Sequence, residues 1–246
     1  MKTAWALREV EAFASLKSLS VLDKDALYAR ISSGEPVEYV LGSVTTKDLT
    51  LFIDRSVLIP RVETEILIEY ALDRMDLKEA NVLDLCTGSG VLGLSIKKRK
   101  PAFSVTLIDI SKEALQIAEK NGKRNELEVE YILGNLMDPV DGRIFDYILC
   151  NPPYISEEEY RSLEGSVADF EPKIALVGGE DGLFFYRELA RSLPRHLSSN
   201  GKVFFEIGST QGVDVLEVFS GKEWRNQEIL KDFAGLNRFL FVEKGE

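Results

Sequence analysis

The sequence predicts an α/β protein built on a doubly wound, mostly parallel sheet of seven strands. Three observations carry that prediction. From residue 80 onward, short apolar runs alternate with amphipathic stretches, the pattern of parallel strands joined by crossover helices. A glycine-rich turn, Asp84 to Gly90, connects the first of those runs to the first helix. And 246 residues, 45% hydrophobic and 29% charged, can bury a substantial core without disulfide or metal staples.

Residues 1–33 read as a short helical segment. Trp5, Leu7, Val10, Phe13, Leu16 and Leu19 recur at three/four spacing, and Leu22, Ala26, Leu27 and Ile31 resume it, with Asp23 placed to cap the second piece. The segment is too small for its own core. It is expected either to cover the main domain or to meet a partner. Gly34-Glu35-Pro36 marks a boundary, and residues 34–246 read as a hairpin linker plus a catalytic domain. Val37 to Val44 and Leu49 to Ile53 have strand character around a polar turn, and Val62-Glu63-Thr64-Glu65 opens an amphipathic helix reaching Met75.

The alternating region follows. Asn81 to Leu85 is a strand, with a helix to about Lys100; Val105 to Ile110 is a strand, and Lys112 to Asn125 a helix. Val129 to Leu133 and Phe145 to Cys150 are the next two strands. After Tyr154 comes an irregular stretch of roughly 30 residues, a length that usually has a function or is disordered. A helix over Gly182 to Leu197, a strand over Lys202 to Ile207 and a helix over Val213 to Phe219 precede two last strands, Asn226 to Lys231 and Arg238 to Val242.

Composition narrows the function. The net charge of -11 argues against a broadly attractive surface for nucleic acid. A single histidine, His196, excludes a His-rich zinc site, and its position at a helix end points to a dipole-facing or solvent role. Two cysteines, Cys86 and Cys150, are too few for a disulfide framework and read as thiols in a reducing compartment. No apolar run reaches the roughly 18 residues of a membrane span, and Arg8, Glu9 and Glu11 interrupt any signal-peptide core. A cytoplasmic location and no metal are expected.

Two motifs carry chemistry. In Asp84-Leu85-Cys86-Thr87-Gly88-Ser89-Gly90, the glycines let a ligand approach backbone N–H groups at a helix start. No Lys-Ser/Thr follows, so a P-loop fails. Asp109 ends the second strand, where an acidic residue grips ribose hydroxyls in doubly wound folds. Gly93 completes a Gly-x-Gly-x-x-Gly string, so spacing alone leaves a nicotinamide dinucleotide open. The second motif, Asn151-Pro152-Pro153-Tyr154, follows the fourth strand. Its prolines rigidify a turn at the switch point where ligands bind in open α/β sheets. An Asn carbonyl, proline carbonyls and an aromatic ring there suit a planar amide or aromatic amine whose NH2 is held by two acceptors.

With these residues the chain resembles the class I S-adenosylmethionine-dependent methyltransferases, with their Rossmann-like fold. Within them it is similar to the HemK (PrmC) family of protein-glutamine N5-methyltransferases acting on peptide chain release factors. The resemblance runs from about residue 34 to the C-terminus. It rests on Gly34-Glu35-Pro36, Leu58 to Glu65, Asp84 to Gly90, Asn151 to Ile155, Asp169-Phe170-Glu171-Pro172, Gly182-Leu183, Phe205-Glu206-Ile207-Gly208, Gln211-Gly212 and Asp232 to Arg238. Asn-Pro-Pro-Tyr alone is shared with adenine and guanine methylases; the Pro-Arg-x-x-Thr-Glu and Phe-Glu-Pro segments are more specific.

The resemblance implies S-adenosyl-L-methionine as cofactor and S-adenosyl-L-homocysteine as product. It implies that Cys86, Thr87, Gly88, Ser89 and Gly90 hold the methionine part, Asp109 the ribose, and Asn135 and Leu136 the adenine. Asn151 and Pro152 would bind the substrate amide, flanked by Pro153, with Tyr154 packed on its plane. The implied partner is a class 1 release factor presenting the glutamine of a Gly-Gly-Gln loop; neither nucleic acid nor membrane is expected. Two departures stand out. The family's N-terminal helical domain is roughly twice as long as residues 1–33, and Gly134-Asn135 stands where an Asp is common, so the adenine amine would lack a charged acceptor. Competing readings are glutamine methylation of a ribosomal protein, N-methylation of a nucleic-acid base, and a binding module without activity. Against the base methylase stands the acidic insertion 156–181, with Glu157, Glu158, Glu159, Glu164, Asp169, Glu171, Glu180 and Asp181 against Arg161 and Lys173.

Overall fold

The computed structural model describes residues 2–17 and 20–245. Helices α1 (Lys2–Lys17) and α2 (Val21–Ser32) cover the expected N-terminal segment. Leu19 of the predicted spacing lies outside the described residues, as do the side chains of Phe13, Leu16 and Leu22. Ser20, not Asp23, caps α2; Asp23 is its partner in a reciprocal capping box.

The first correction is at residues 37–44. They do not form one strand: α3 (Val37–Leu41) is a short helix closed by Gly42 at φ 68°, and only β1 (Ser43–Thr45) is extended. Val37 and Val40 lie three apart and join Ala6, Val10 and Ile31 in a small apolar cluster, so packing decided an ambiguous run. β1 pairs antiparallel with β2 (Thr50–Phe52), Val44 opposite Leu51, which gives the expected hairpin.

Next come α4 (Val62–Arg74), β3 (Asn81–Leu85), α5 (Val91–Arg99), β4 (Ser104–Asp109), α6 (Lys112–Arg124), β5 (Glu130–Leu133) and β6 (Phe145–Cys150). The predicted irregular stretch contains two short helices, α7 (Glu157–Arg161) and α8 (Gly165–Ala168), with Ser156 and Glu159 forming a capping box. A lone bridge ties Ile155 to Val177. After them run α9 (Phe184–Ser192), β7 (Leu197–Glu206), α10 (Gly212–Val218), β8 (Trp224–Lys231) and β9 (Asn237–Lys244). α9 is shorter than predicted because Pro194 lacks an N–H donor, and Leu193–His196 tightens into a 3₁₀ turn.

His196 is a second correction. It is buried, not solvated: its Nε2 accepts from Arg195, so its Nδ1–H donates to the Arg143 carbonyl at 3.1 Å.

The seven strands form one sheet in the order β5-β4-β3-β6-β7-β9-β8, parallel from β5 to β7, with β9 antiparallel to both β7 and β8. Neighbouring residues face opposite layers. Val82, Leu149 and Phe204 pack under α4 and α5, whereas Leu83, Ile148 and Phe205 pack with Tyr186 and Leu189 of α9. The chain leaves β3 outward to β4 and β5, then returns to β6 on the other side. That reversal opens a crevice at the carboxyl ends of β3 and β6.

Candidate active site

A cleft of about 330 Å³ lies at this crevice. Its floor is the turn after β3. Cys86, Gly88 and Gly90 all have left-handed backbone, with φ of 57°, 54° and 84°, which is how three peptide units reverse direction so quickly. Thr87, Ser89 and Asp109 line the cleft beside Cys86 and Gly88, as do Asn135 and Leu136 from the loop after β5. Each Asp109 oxygen accepts one backbone N–H, from Gly88 and from Ser111, both at 2.8 Å. The carboxylate is thereby locked in direction, each oxygen keeping capacity for a further donor. Burial raises its pKa.

Asp84 sits behind the turn, fully buried. One of its oxygens accepts from the Thr87 hydroxyl and, at 2.9 Å, from the Gly93 N–H. The other has no hydrogen-bond partner among the described residues. Burial pushes this carboxyl up to about 7. Gly93 is forced by the same packing: a Cβ there would stand 2.8 Å from Leu107 and 3.0 Å from Asp84.

The other end of the cleft holds Asn151 and Pro153. Asn151 Nδ2 donates to Thr64 Oγ1 over a long 3.5 Å. Thr64 donates to Glu206 Oε2 at 2.8 Å, and the Tyr154 hydroxyl to Glu206 Oε1 at 3.2 Å. Glu206 is fully buried; burial raises its pKa, against the lowering effect of those two hydrogen bonds. Tyr154 is itself pushed up, by burial first and by Glu206 next. Gln211 Nε2 donates to the Tyr154 carbonyl at 2.9 Å and its Oε1 accepts from the Gly208 N–H, so the loop is held from behind.

Three of the expected site residues do not line the cleft. Gly90 caps α5 where a Cβ would stand 2.9 Å from Leu94 and 3.3 Å from Leu107 and Ala118. Pro152 is buried, and Tyr154 directs its hydroxyl to Glu206. The aromatic rings at the cleft are instead Phe184 and Phe185, edge-to-face at 5.2 Å, with Ile174 alongside. Thr64, Glu206, Asp84 and the two phenylalanines, which the geometry brings to or behind this cleft, were not among the expected site residues. A charged residue closing the apolar run Val203-Phe204-Phe205 was the available signal for Glu206.

The donor set fits a cofactor with a ribose, a planar base and a cationic end. Asp109 can accept hydroxyls, Ile108, Ile110, Ala114 and Leu136 offer apolar walls, and the half-satisfied Asp84 favours positive charge near the turn.

A family model described as methyltransferase small domain matches residues 62–166. The chain is 43% identical over 210 residues to a release factor glutamine methyltransferase of Chlamydia trachomatis, covering 85% of this chain and 72% of that protein. It is 36% identical over 245 residues to the one of Lactococcus lactis, covering 98% and 88%. Among solved structures, a methyltransferase from Pyrococcus furiosus superposes with TM-score 0.64 at 20% identity, covering 89% and 98% of the two chains. A ribosomal protein L11 methylase of Lactobacillus delbrueckii gives 0.56 at 25%, covering 76% and 81%.

Proposed function

The chain belongs to the release factor glutamine methyltransferases, and from that premise we propose that it methylates the side-chain nitrogen of the Gly-Gly-Gln glutamine in a class 1 peptide chain release factor. The observation that carries the reading is Asn151, held at the cleft mouth beside a turn suited to a nucleoside cofactor. S-adenosyl-L-methionine is the cofactor proposed, held by Thr87, Gly88, Ser89, Asp109 and Leu136; when bound it supplies a methyl group on an electrophilic sulfonium. Asn151 Oδ1 accepts one hydrogen of the substrate NH2; the other goes, on this proposal, to the backbone carbonyl of Pro152, whose ring is buried outside the cleft lining. These two acceptors would fix the amide plane beside the turn at residues 86–89, where the cofactor would be held. Phe184, Phe185 and Ile174 exclude water around it. Orientation and water exclusion would supply the acceleration; the amide nitrogen loses one proton as the methyl is transferred, and because an N-alkylated amide cation is strongly acidic that proton passes to solvent without a strong general base. On this reading the protein works in the cytoplasm, where its release-factor substrate acts.

The test is labelled methyl transfer to release factor, ribosomal protein and RNA in parallel, with Asn151→Ala beside the wild type. Release factor is expected to be labelled, and Asn151→Ala to lose about 10²-fold or more in turnover with cofactor affinity near normal. Labelling of ribosomal protein or RNA instead would overturn the proposal.

A further inference from the structure

We infer that Thr64, held by Glu206, sets which end of the Asn151 amide meets the substrate, and so makes the site select an N–H donor over a carboxylate. The inference rests on the glutamine-methylating reading above.

An Asn side chain can present either its carbonyl or its NH2 to a cleft, and the two ends have nearly the same shape. Something must choose. Glu206 takes the hydrogen of Thr64 on one oxygen, at 2.8 Å, and that of Tyr154 on the other, at 3.2 Å. Thr64 has one hydroxyl hydrogen, and that hydrogen is committed to Glu206. Toward Asn151, therefore, Thr64 can only accept. The Asn151 group facing it must be the NH2, as the contact from Nδ2 at 3.5 Å places it. Oδ1 is then the group left for the substrate.

Thr64 comes from α4, Asn151 from the loop that follows β6 and Glu206 from the end of β7, so the device is built across the fold rather than within one loop. Thr64 and Glu206 are both buried, and with water excluded the polarity of the chain is not easily reversed. A glutamine NH2 finds an acceptor at Oδ1. A glutamate at the same place would oppose one acceptor with another, an unpaired arrangement that is strongly disfavoured in a shielded site. Thr64 and Glu206 act here through Asn151 and are positioning residues.

The experiment compares wild type, Thr64→Val and Thr64→Ser. Valine keeps the shape but can neither accept nor donate; serine restores the hydroxyl. Two short peptides carrying Gly-Gly-Gln and Gly-Gly-Glu compete for binding to the cofactor-loaded protein, and kcat and KM are measured on release factor. Thr64→Val is expected to lower the preference for the glutamine peptide about tenfold and kcat by a similar factor, with KM for the cofactor unchanged; Thr64→Ser restores both. Independently, the Asn151 side-chain NH2 protons, followed by NMR, are expected to exchange slowly in the wild type and fast in Thr64→Val. Unaltered glutamine-over-glutamate preference in Thr64→Val overturns the inference. So do rapidly exchanging Asn151 NH2 protons in the wild type, a result that needs no variant to fold. A wild type that labels no glutamine removes the functional reading itself, and with it the selectivity but not the NMR signature.

Discussion

At the residue scale, two aspartates that flank the turn after β3, Asp84 within β3 and Asp109 at the end of β4, do different work. Asp109 lines the cleft with both oxygens held by backbone N–H groups. Asp109→Ala should weaken S-adenosyl-L-methionine by about 1–3 kcal/mol, the range for a hydrogen-bonded charged acceptor in a shielded site. Calorimetry checks it, and unchanged affinity would show that the ribose is held elsewhere. Asp84 does not line the cleft, and its effect is on pH dependence. Its carboxyl is pushed from 3.8 up to about 7 in the folded chain. The folded state therefore binds this proton more tightly than the unfolded one. Stability from this group is fully present below about pH 4 and is lost as pH rises to about 7, on the order of 4 kcal/mol in all. Asp84→Asn should remove that slope, because an amide does not titrate. Urea unfolding from pH 4 to 8 reads it: if both proteins show the same slope, Asp84 is not the group responsible. A cation bound near the turn should also lower the Asp84 pKa, so cofactor affinity should rise with pH through the same window.

At the element scale, the segment before α4 is held against the insertion by Glu171. This buried carboxylate pairs with Arg61 and accepts from the Ile59 N–H at 3.3 Å, while Leu58 and Pro60 form cleft wall. The two partners are not equivalent. Arg61→Ala strands a buried carboxylate and should cost about 3–5 kcal/mol, whereas in Glu171→Gln the freed, partly exposed guanidinium turns to water and the Ile59 N–H keeps an acceptor, for about 1–2 kcal/mol. Denaturant midpoints of the two variants test this order; the reverse order would mean that the ion pair is not what holds the segment. Such pairings also explain what was legible in the sequence. β3 and β6 fall where their apolar runs predicted, because a strand buried on both faces writes its limits into local composition. α3 was misread because Val37, Val40 and Leu41 suit a strand as well as a helix until α1 and α2 pack on them. Asn151 stood in a local motif and could be found. Thr64 and Glu206 are 142 positions apart, and their contact is set by how α4 lies on β7, which no local pattern encodes.

At the scale of the whole molecule, charge and the N-terminal helices bear on the partner. A net charge of -11 favours a substrate presenting basic residues around its glutamine, so methylation of release factor should slow with added salt through slower encounter. The proposed division of the chain at residue 34 gives a sharper test. α1 and α2 share with α3 an apolar cluster separate from the two layers of the sheet. Among the described residues, a side-chain tie to the rest is made by Arg30, which pairs with buried Glu35 at 2.8 Å and donates to the Tyr39 and Val40 carbonyls. Arg55 holds Glu35 from the other side at 3.0 Å. Among the described residues, none of 1–33 lines the cleft. Deleting them removes one of two cations from Glu35 and uncovers Val37 and Val40, so the unfolding temperature should fall. The turn after β3 and the Asn151 loop keep every contact described above. A truncation that stays folded by circular dichroism should therefore hold kcat within about twofold, while KM for release factor rises further than that, since a lost docking surface weakens binding without touching the reacting groups. If kcat collapses at unchanged KM in a folded truncation, the two helices serve to brace the linker beneath the cleft, and the partner is gripped elsewhere.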